Sequence, residues 1–159
     1  MNKQEIIRQI IAQLANELEL LAKAARAAHS EATHESSKAE NKYDTRGLEA
    51  SYLARGQSRQ ANEIEQAIEQ LEAMEVRSYA AQDPIDLGAL VELDADGERA
   101  LYFIAPRAGG TEVTQGKSEV LVITPQSPLG EQLMGRREGE QLQIVIGGRK
   151  RTHRLLSVR

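Results

Sequence analysis

Five carboxylates, Glu31, Glu35, Glu40, Asp44 and Glu49, are interleaved with Lys38, Lys42 and Arg46 in a polar stretch of the first half of the chain. Carboxylate oxygens are hard ligands, and two held together can help retain a Mg2+ that another molecule binds weakly. Glu40 and Asp44 are four residues apart, so a helix beginning near Glu40 places both on one face. A solvated helix end has the same pattern, which makes the spacing compatible with metal chemistry without requiring it. Other sources of chemistry are thin. There is no Cys, hence no disulfide, thiolate zinc site or cysteine nucleophile. His29 and His34 are five apart, a poor helical metal pair, and His153 falls in an expected strand without an acid or thiol partner. All three read as surface or boundary residues.

Two glycine-bearing runs fail as phosphate cradles. Ala108-Gly109-Gly110-Thr111 is not followed by Gly-Lys-Ser/Thr and reads as a flexible loop, while Gly116-Lys117-Ser118 lacks the preceding spaced glycine. The basic cluster Arg149-Lys150-Arg151, with Arg154 and Arg159, has no interleaved aromatics. It reads as a solvated hairpin edge with at most weak contact to phosphate or an acidic partner.

The elements that position these groups divide near residue 80. Only Gly47 and Gly56 precede that point, whereas the other glycines and all four prolines, Pro84, Pro106, Pro125 and Pro128, follow it. In the first half Ile7, Ile10/Ile11, Leu14, Leu18, Leu21, Ala25 and Ala28 recur every three or four residues. A return stripe runs Ala50, Ala54, Gln57, Ala61, Ile64, Ile68 and Leu71, with the polar segment His34–Tyr43 between. The pattern predicts an antiparallel helical hairpin, a coiled coil over roughly 2–77 about 45 Å long, with small seam residues toward its turn. Pro84 cannot continue a helix and restricts Asp83, so Gln82-Asp83-Pro84 is the expected junction.

The second half reads as strands over Ala89–Leu93, Arg99–Ile104, Val120–Thr124, Gln141–Ile146 and Arg151–Val158, with Asp94-Ala95-Asp96-Gly97 and Gly147-Gly148 as turns. Ser127-Pro128 starts a short helix that ends at Gly135. The expectation is an α+β chain of 159 residues, with a helical hairpin over 1–80 and a small β-rich domain of four or five strands over 81–159. The net charge of −4 provides no overall attraction to nucleic acid, so any role there is indirect, through a protein partner. The N-terminal MNKQEIIRQI has no leader-like apolar core, and no uninterrupted apolar run is long enough to span a bilayer. The expected location is cytoplasmic.

The segment 120–145 resembles the C-terminal domain of the Gre family of bacterial transcription elongation factors. The residues that carry the resemblance are Ser127-Pro128-Leu129-Gly130, Leu133-Met134-Gly135-Arg136 and Glu138-Gly139, with Tyr52-Leu53-Ala54-Arg55 and Ile64/Ile68/Leu71 similar to the family's second helix. The resemblance implies a coiled coil inserted into the secondary channel of RNA polymerase and an FKBP-like domain docked at the channel rim, with Ser127, Pro128, Leu129 and Gly130 as docking residues. It also implies tip acids, here Glu40, Asp44 and Glu49, that act on the polymerase's Mg2+, with no cofactor or stable metal of the chain's own. In cleavage-competent members an Asp and a Glu lie at the tip, separated by two residues. If Glu40-Asn41 matches the family's Glu-Asn, the Asp position falls on Ser37; if Tyr52-Leu53-Ala54-Arg55 sets the register, Asp44 and Glu49 are the nearest pair. The loop that is acidic in cleavage factors reads Arg107-Ala108-Gly109-Gly110-Thr111-Glu112.

The implied function is therefore an accessory transcription elongation regulator, not itself an enzyme, that promotes transcript cleavage or inhibits polymerase. Prolyl isomerase activity is not expected, because Tyr102 and Phe103 alone cannot line an aromatic pocket. The alternative is a coiled-coil adaptor whose Gre-like domain binds another protein.

Overall fold

Asn2 opens the first helix: its side-chain oxygen accepts from the Gln4 N–H at 3.0 Å, and its carbonyl accepts from Glu5 and Ile6. No Gly or Pro interrupts the following residues, and helix α1 runs Lys3–Thr33. Helix α2 runs Arg46–Glu72. The structure is a computed structural model that describes residues 1–33 and 46–159. Six strands follow: β1 Leu90–Ala95, β2 Glu98–Ile104, β3 Glu112–Gln115, β4 Ser118–Ile123, β5 Gln141–Ile146 and β6 Arg149–Val158. A short helix α3, Pro128–Leu133, lies between β4 and β5. The architecture is α+β, with a helix pair ahead of one mixed sheet. Among the described residues no helix is long and apolar enough to cross a membrane.

The chain divides into two units, Ile11–Glu69 and Met1–Ile10 with Gln70–Arg159. In the helical unit Ile64 and Ala67 are buried, while Leu14, Leu18, Leu21, Gln57, Ala61 and Ile68 of the expected stripes are half-buried. Gln57 Oε1 is shielded from water without a hydrogen-bond partner. The ends of the two helices, with buried Ile6, Ile7, Ile10 and Leu71, belong to the sheet unit. Helix α2 also stops at Glu72, short of the expected 77, where Met74 N–H bonds back to the Leu71 carbonyl. The chain from 74 to 80 is irregular, and Pro84 follows the helix end by more than ten residues.

The sheet order is β3-β4-β2-β1-β6-β5, antiparallel throughout except for the parallel pair β2/β4. Asp96 (φ 56°) and Gly97 (φ 86°) form the two-residue turn between β1 and β2. Strand β3 makes six strands where four or five were expected, because its four residues offer a single buried apolar side chain, Val113. The preceding glycines are no flexible loop: Gly110 donates to the Val122 carbonyl and Thr111 accepts from Val122 N–H, fastening the turn to β4. His153 departs from its expected surface or boundary position. It is buried in β6 opposite Leu142, with Nδ1 3.2 Å from the Arg151 carbonyl. One core cluster gathers Ile85, Ala89, Val91, Leu93, Ile104, Ile123, Leu133, Leu142, Ile144, Leu155 and Val158.

At each outer strand a glutamine amide from a helix bonds one edge residue. At β3, Gln9 of α1 donates to the Thr114 carbonyl (3.0 Å) and accepts from Thr114 N–H (3.2 Å). Gln115 makes the reciprocal pair with the backbone of Asn2. At β5, Gln132 of α3 accepts from Val145 N–H (3.0 Å) and reaches the Val145 carbonyl (3.3 Å). Each side chain imitates one residue of a neighbouring strand and satisfies edge groups otherwise open to pairing.

Two outcomes are expected from this packing. A Cβ on Gly130 would lie 1.8 Å from the Thr124 carbonyl oxygen, so Gly130→Ala should lower stability by about 2 kcal/mol or more in denaturant unfolding. Conversely, Gln57→Leu removes a shielded acceptor with no partner and should stabilise the helix pair by about 1 kcal/mol, read as a higher thermal midpoint.

Candidate functional site

The Ser127-Pro128-Leu129-Gly130 motif forms the turn from β4 into α3. Ser127 is the N-cap: its backbone is extended (φ −68°, ψ 154°), its Oγ accepts from Gly130 N–H at 3.1 Å and donates to the Thr124 carbonyl at 2.7 Å. Pro128 occupies the first helical position, where a missing N–H costs nothing. Gly130 is buried against the Thr124 carbonyl, Leu129 packs half-buried on the core cluster, and Leu133 is fully buried within it.

The next motif residues fasten the helix end. Gly135 (φ 78°) donates to the Ile85 carbonyl, and Ile85 N–H donates to the Arg136 carbonyl, both within 2.9 Å. Arg137 Nε reaches the Gln82 carbonyl at 3.0 Å, and Gly139 (φ 88°) donates to Leu155. Glu138 accepts from Val158 N–H at 3.4 Å. Most of the motif therefore builds the turn and clamps segment 82–88 to it. Of the four expected docking residues, only Pro128 is exposed, while Ser127 and Leu129 are half-buried and Gly130 is buried.

Beside the turn lies an open hollow of about 500 Å3 lined by Gln70, Leu87, Pro106, Arg107, Pro125 and Gln126. Leu87 is 39% exposed. Its position is set on both sides. Its N–H donates to Asp86 Oδ1 (2.8 Å), and its carbonyl accepts from the Tyr79 hydroxyl (2.7 Å). The next residue, Gly88, bonds to the Ile104 carbonyl and receives Lys3 Nζ at 3.0 Å. Lys3 also donates to the Arg77 carbonyl. The Tyr79 ring lies 4.8 Å from Lys3 Nζ and 4.3 Å from the Arg77 guanidinium. Burial, followed by the nearby Arg77 charge, lowers the Lys3 pKa to about 8, and burial raises that of Tyr79. Arg107 is held by Gln70 Oε1 at 3.1 Å.

The hollow combines apolar side chains with one guanidinium and presents neither a nucleophile–base pair nor a pair of carboxylates. Its chemistry suits recognition of a protein surface. A larger hollow, about 660 Å3, opens among β1, β2, β3 and β4 with Arg99, Tyr102, Glu92, Lys117 and Glu119 on its walls. There Glu92 is already held by Arg99 and Arg159, at 3.7 and 3.2 Å. Leu87, Pro106 and Pro125 were not singled out as candidates in the sequence. The available signal was one apolar residue and two prolines in segments outside regular structure, and only the fold makes them neighbours.

Glu40 and Asp44 lie outside the described residues, as do His34 and Glu35. Glu49 falls near the start of α2, and His29 falls in α1. Among the described residues no group of three His, Asp or Glu side chains could hold a metal ion.

No family model matches the chain, and no curated protein matches it. Similar solved structures exist. The GreA factor homolog 1 (Gfh1) protein of Thermus thermophilus is 23% identical, with 94% of each chain covered and a TM-score of 0.39. A structure of the transcription factor Gfh1 is 25% identical over 96% of this chain and 92% of that one, with a TM-score of 0.41. The transcription elongation factor GreA/GreB from Nitrosomonas europaea is 17% identical over 70% and 91%, with a TM-score of 0.37.

Proposed function

We propose that this chain is a transcription elongation regulator that binds bacterial RNA polymerase through the face around Leu87, Pro106, Pro125 and Pro128. The helix pair then presents Glu40, Asp44 and Glu49 to the polymerase's own Mg2+. The observation that carries this reading is the turn at Ser127. The residues through which the sequence resembles Gre factors build one clamped corner, and that corner carries a solvent-facing apolar hollow with Arg107 at its side. A rigid, partly apolar surface with a single cation is suited to a protein partner.

The carboxylates act as accessory ligands, sharing a Mg2+ with polymerase, water and phosphate. Neither register of the tip gives an Asp and a Glu separated by two residues, which favours inhibition over efficient transcript cleavage.

The test uses purified bacterial polymerase in a halted, backtracked complex. We expect association at micromolar concentration, slowed nucleotide addition and no shortened RNA. Leu87→Asp should weaken association by about tenfold, equivalent to roughly 1.4 kcal/mol. Glu40→Lys with Asp44→Lys should abolish slowing while leaving association intact. Absence of association at modest salt would sink the reading. Association unaffected by Leu87→Asp would move the docking face elsewhere, and a tip reversal without effect on transcription would favour the adaptor. Robust cleavage lost with Glu40→Ala or Asp44→Ala would replace inhibition by cleavage.

A further inference from the structure

Five of the 20 basic residues and none of the 24 acidic ones fall in residues 141–159, so a chain of net charge −4 carries −9 up to residue 140 and +5 after it. Two of those cations are neutralised: Arg151 pairs with Glu98 (3.1 Å) and Asp96 (3.5 Å), and Arg159 pairs with Glu92 (3.2 Å). Arg149, Lys150 and Arg154 are exposed and make no ion pair among the described residues. Asp94 is the register neighbour of Arg154 in β1, yet no bond joins them.

The register sorts these side chains. Val145 lies opposite Lys150, Gln143 opposite Thr152, and Gln141 opposite Arg154. All six are exposed, while the alternate residues Leu142, Ile144 and His153 are buried. The outer face of the β5–β6 ribbon thus carries Lys150 and Arg154 about 13 Å apart on one strand, and Val145 on the other. Val145 and Ile146 are 45% and 48% exposed.

The edge of β5 adds backbone specificity. Val145 turns its N–H and carbonyl away from β6 to Gln132. Antiparallel pairing alternates, so Gln143 and Gln141 turn theirs outward too. Leu155 N–H donating to the Glu140 carbonyl agrees with that phase. The outward row presents donors and acceptors in turn. A peptide strand satisfies both, whereas a phosphate chain satisfies only donors.

We infer that the β5 edge, with the basic outer face of the β5–β6 ribbon, is a docking site for an extended acidic segment of a partner protein, added as a strand beside Gln141–Gln143. The segment's carboxylates face Lys150 and Arg154, and its alternate apolar side chains fall on the opposite face, the face of Ile144 and Ile146. The site is separate from the hollow at Leu87 and does not depend on polymerase binding.

The test titrates the full chain with a short peptide alternating glutamate and valine, its lysine–valine counterpart and a short single-stranded DNA. The acidic peptide should bind and slow amide exchange at Gln141 and Gln143. Lys150→Glu with Arg154→Glu should weaken it by about tenfold or more. Gln143→Pro removes an outward N–H without touching the bonds to β6, and should weaken it comparably. If that variant does not fold, amide exchange in the unaltered chain decides the matter. Equal binding of both peptides, or unchanged exchange at Gln141 and Gln143, would overturn the inference. Stronger binding of the DNA than of the acidic peptide would overturn it as well.

Discussion

The carbonyl oxygen of Thr124 occupies the space that any side chain on residue 130 would need. That close approach decides the corner of the sheet unit. With glycine at 130, Ser127 can cap the helix and return its hydroxyl to the same carbonyl, and Leu133 enters the core. The helix end then meets segment 85–88 through the reciprocal bonds of Ile85 with Gly135 and Arg136. Leu87 is fixed in the open only because the residues around it are fixed so completely. A surface apolar side chain held by rigid backbone loses little freedom on binding, which is the property a recognition surface needs.

This changes what the Gre-like motif signifies. Ser127, Gly130, Gly135 and Gly139 each have a local duty in backbone geometry, through a cap, a close contact or a positive φ. Such residues resist substitution whether or not anything docks nearby. In the proposed docking the contact surface falls instead to Leu87, Pro106, Arg107 and Pro125, contributed by separate segments with no shared sequence pattern.

Local codes were readable from sequence where one residue type forces one conformation. Asp96-Gly97 fixed a hairpin, Ser127-Pro128 opened a helix, and the strand expected over Gln141–Ile146 ahead of Gly147-Gly148 has the observed bounds of β5. Features that depend on distant residues were not readable. Strand β3 exists because β4 and Gln9 satisfy its two sides, a condition that the four residues EVTQ do not express. Burial of His153 follows from its register with Leu142, and α2 ends at Glu72, where Met74 N–H turns back to the Leu71 carbonyl, well before Pro84. Periodicity matches the stripe residues whose burial is described, such as Leu14, Leu18, Leu21, Ile64 and Ile68, but it did not show that Ile6, Ile7 and Ile10 serve the sheet unit.

The glutamine closures at both sheet edges have a chemical consequence. Each requires one donor and one acceptor in a single planar group, which an amide supplies and a carboxylate at neutral pH does not. Loss of ammonia from Gln132, an ordinary route of protein ageing, would leave two acceptors against Val145, one aimed at its carbonyl oxygen. Val145 would then lose its edge partner, leaving β5 bonded through its backbone to β6 alone. In this fold the integrity of a sheet margin rests on the covalent survival of a side-chain amide, and a single-atom replacement that hardly alters shape would age the molecule from its edge inward.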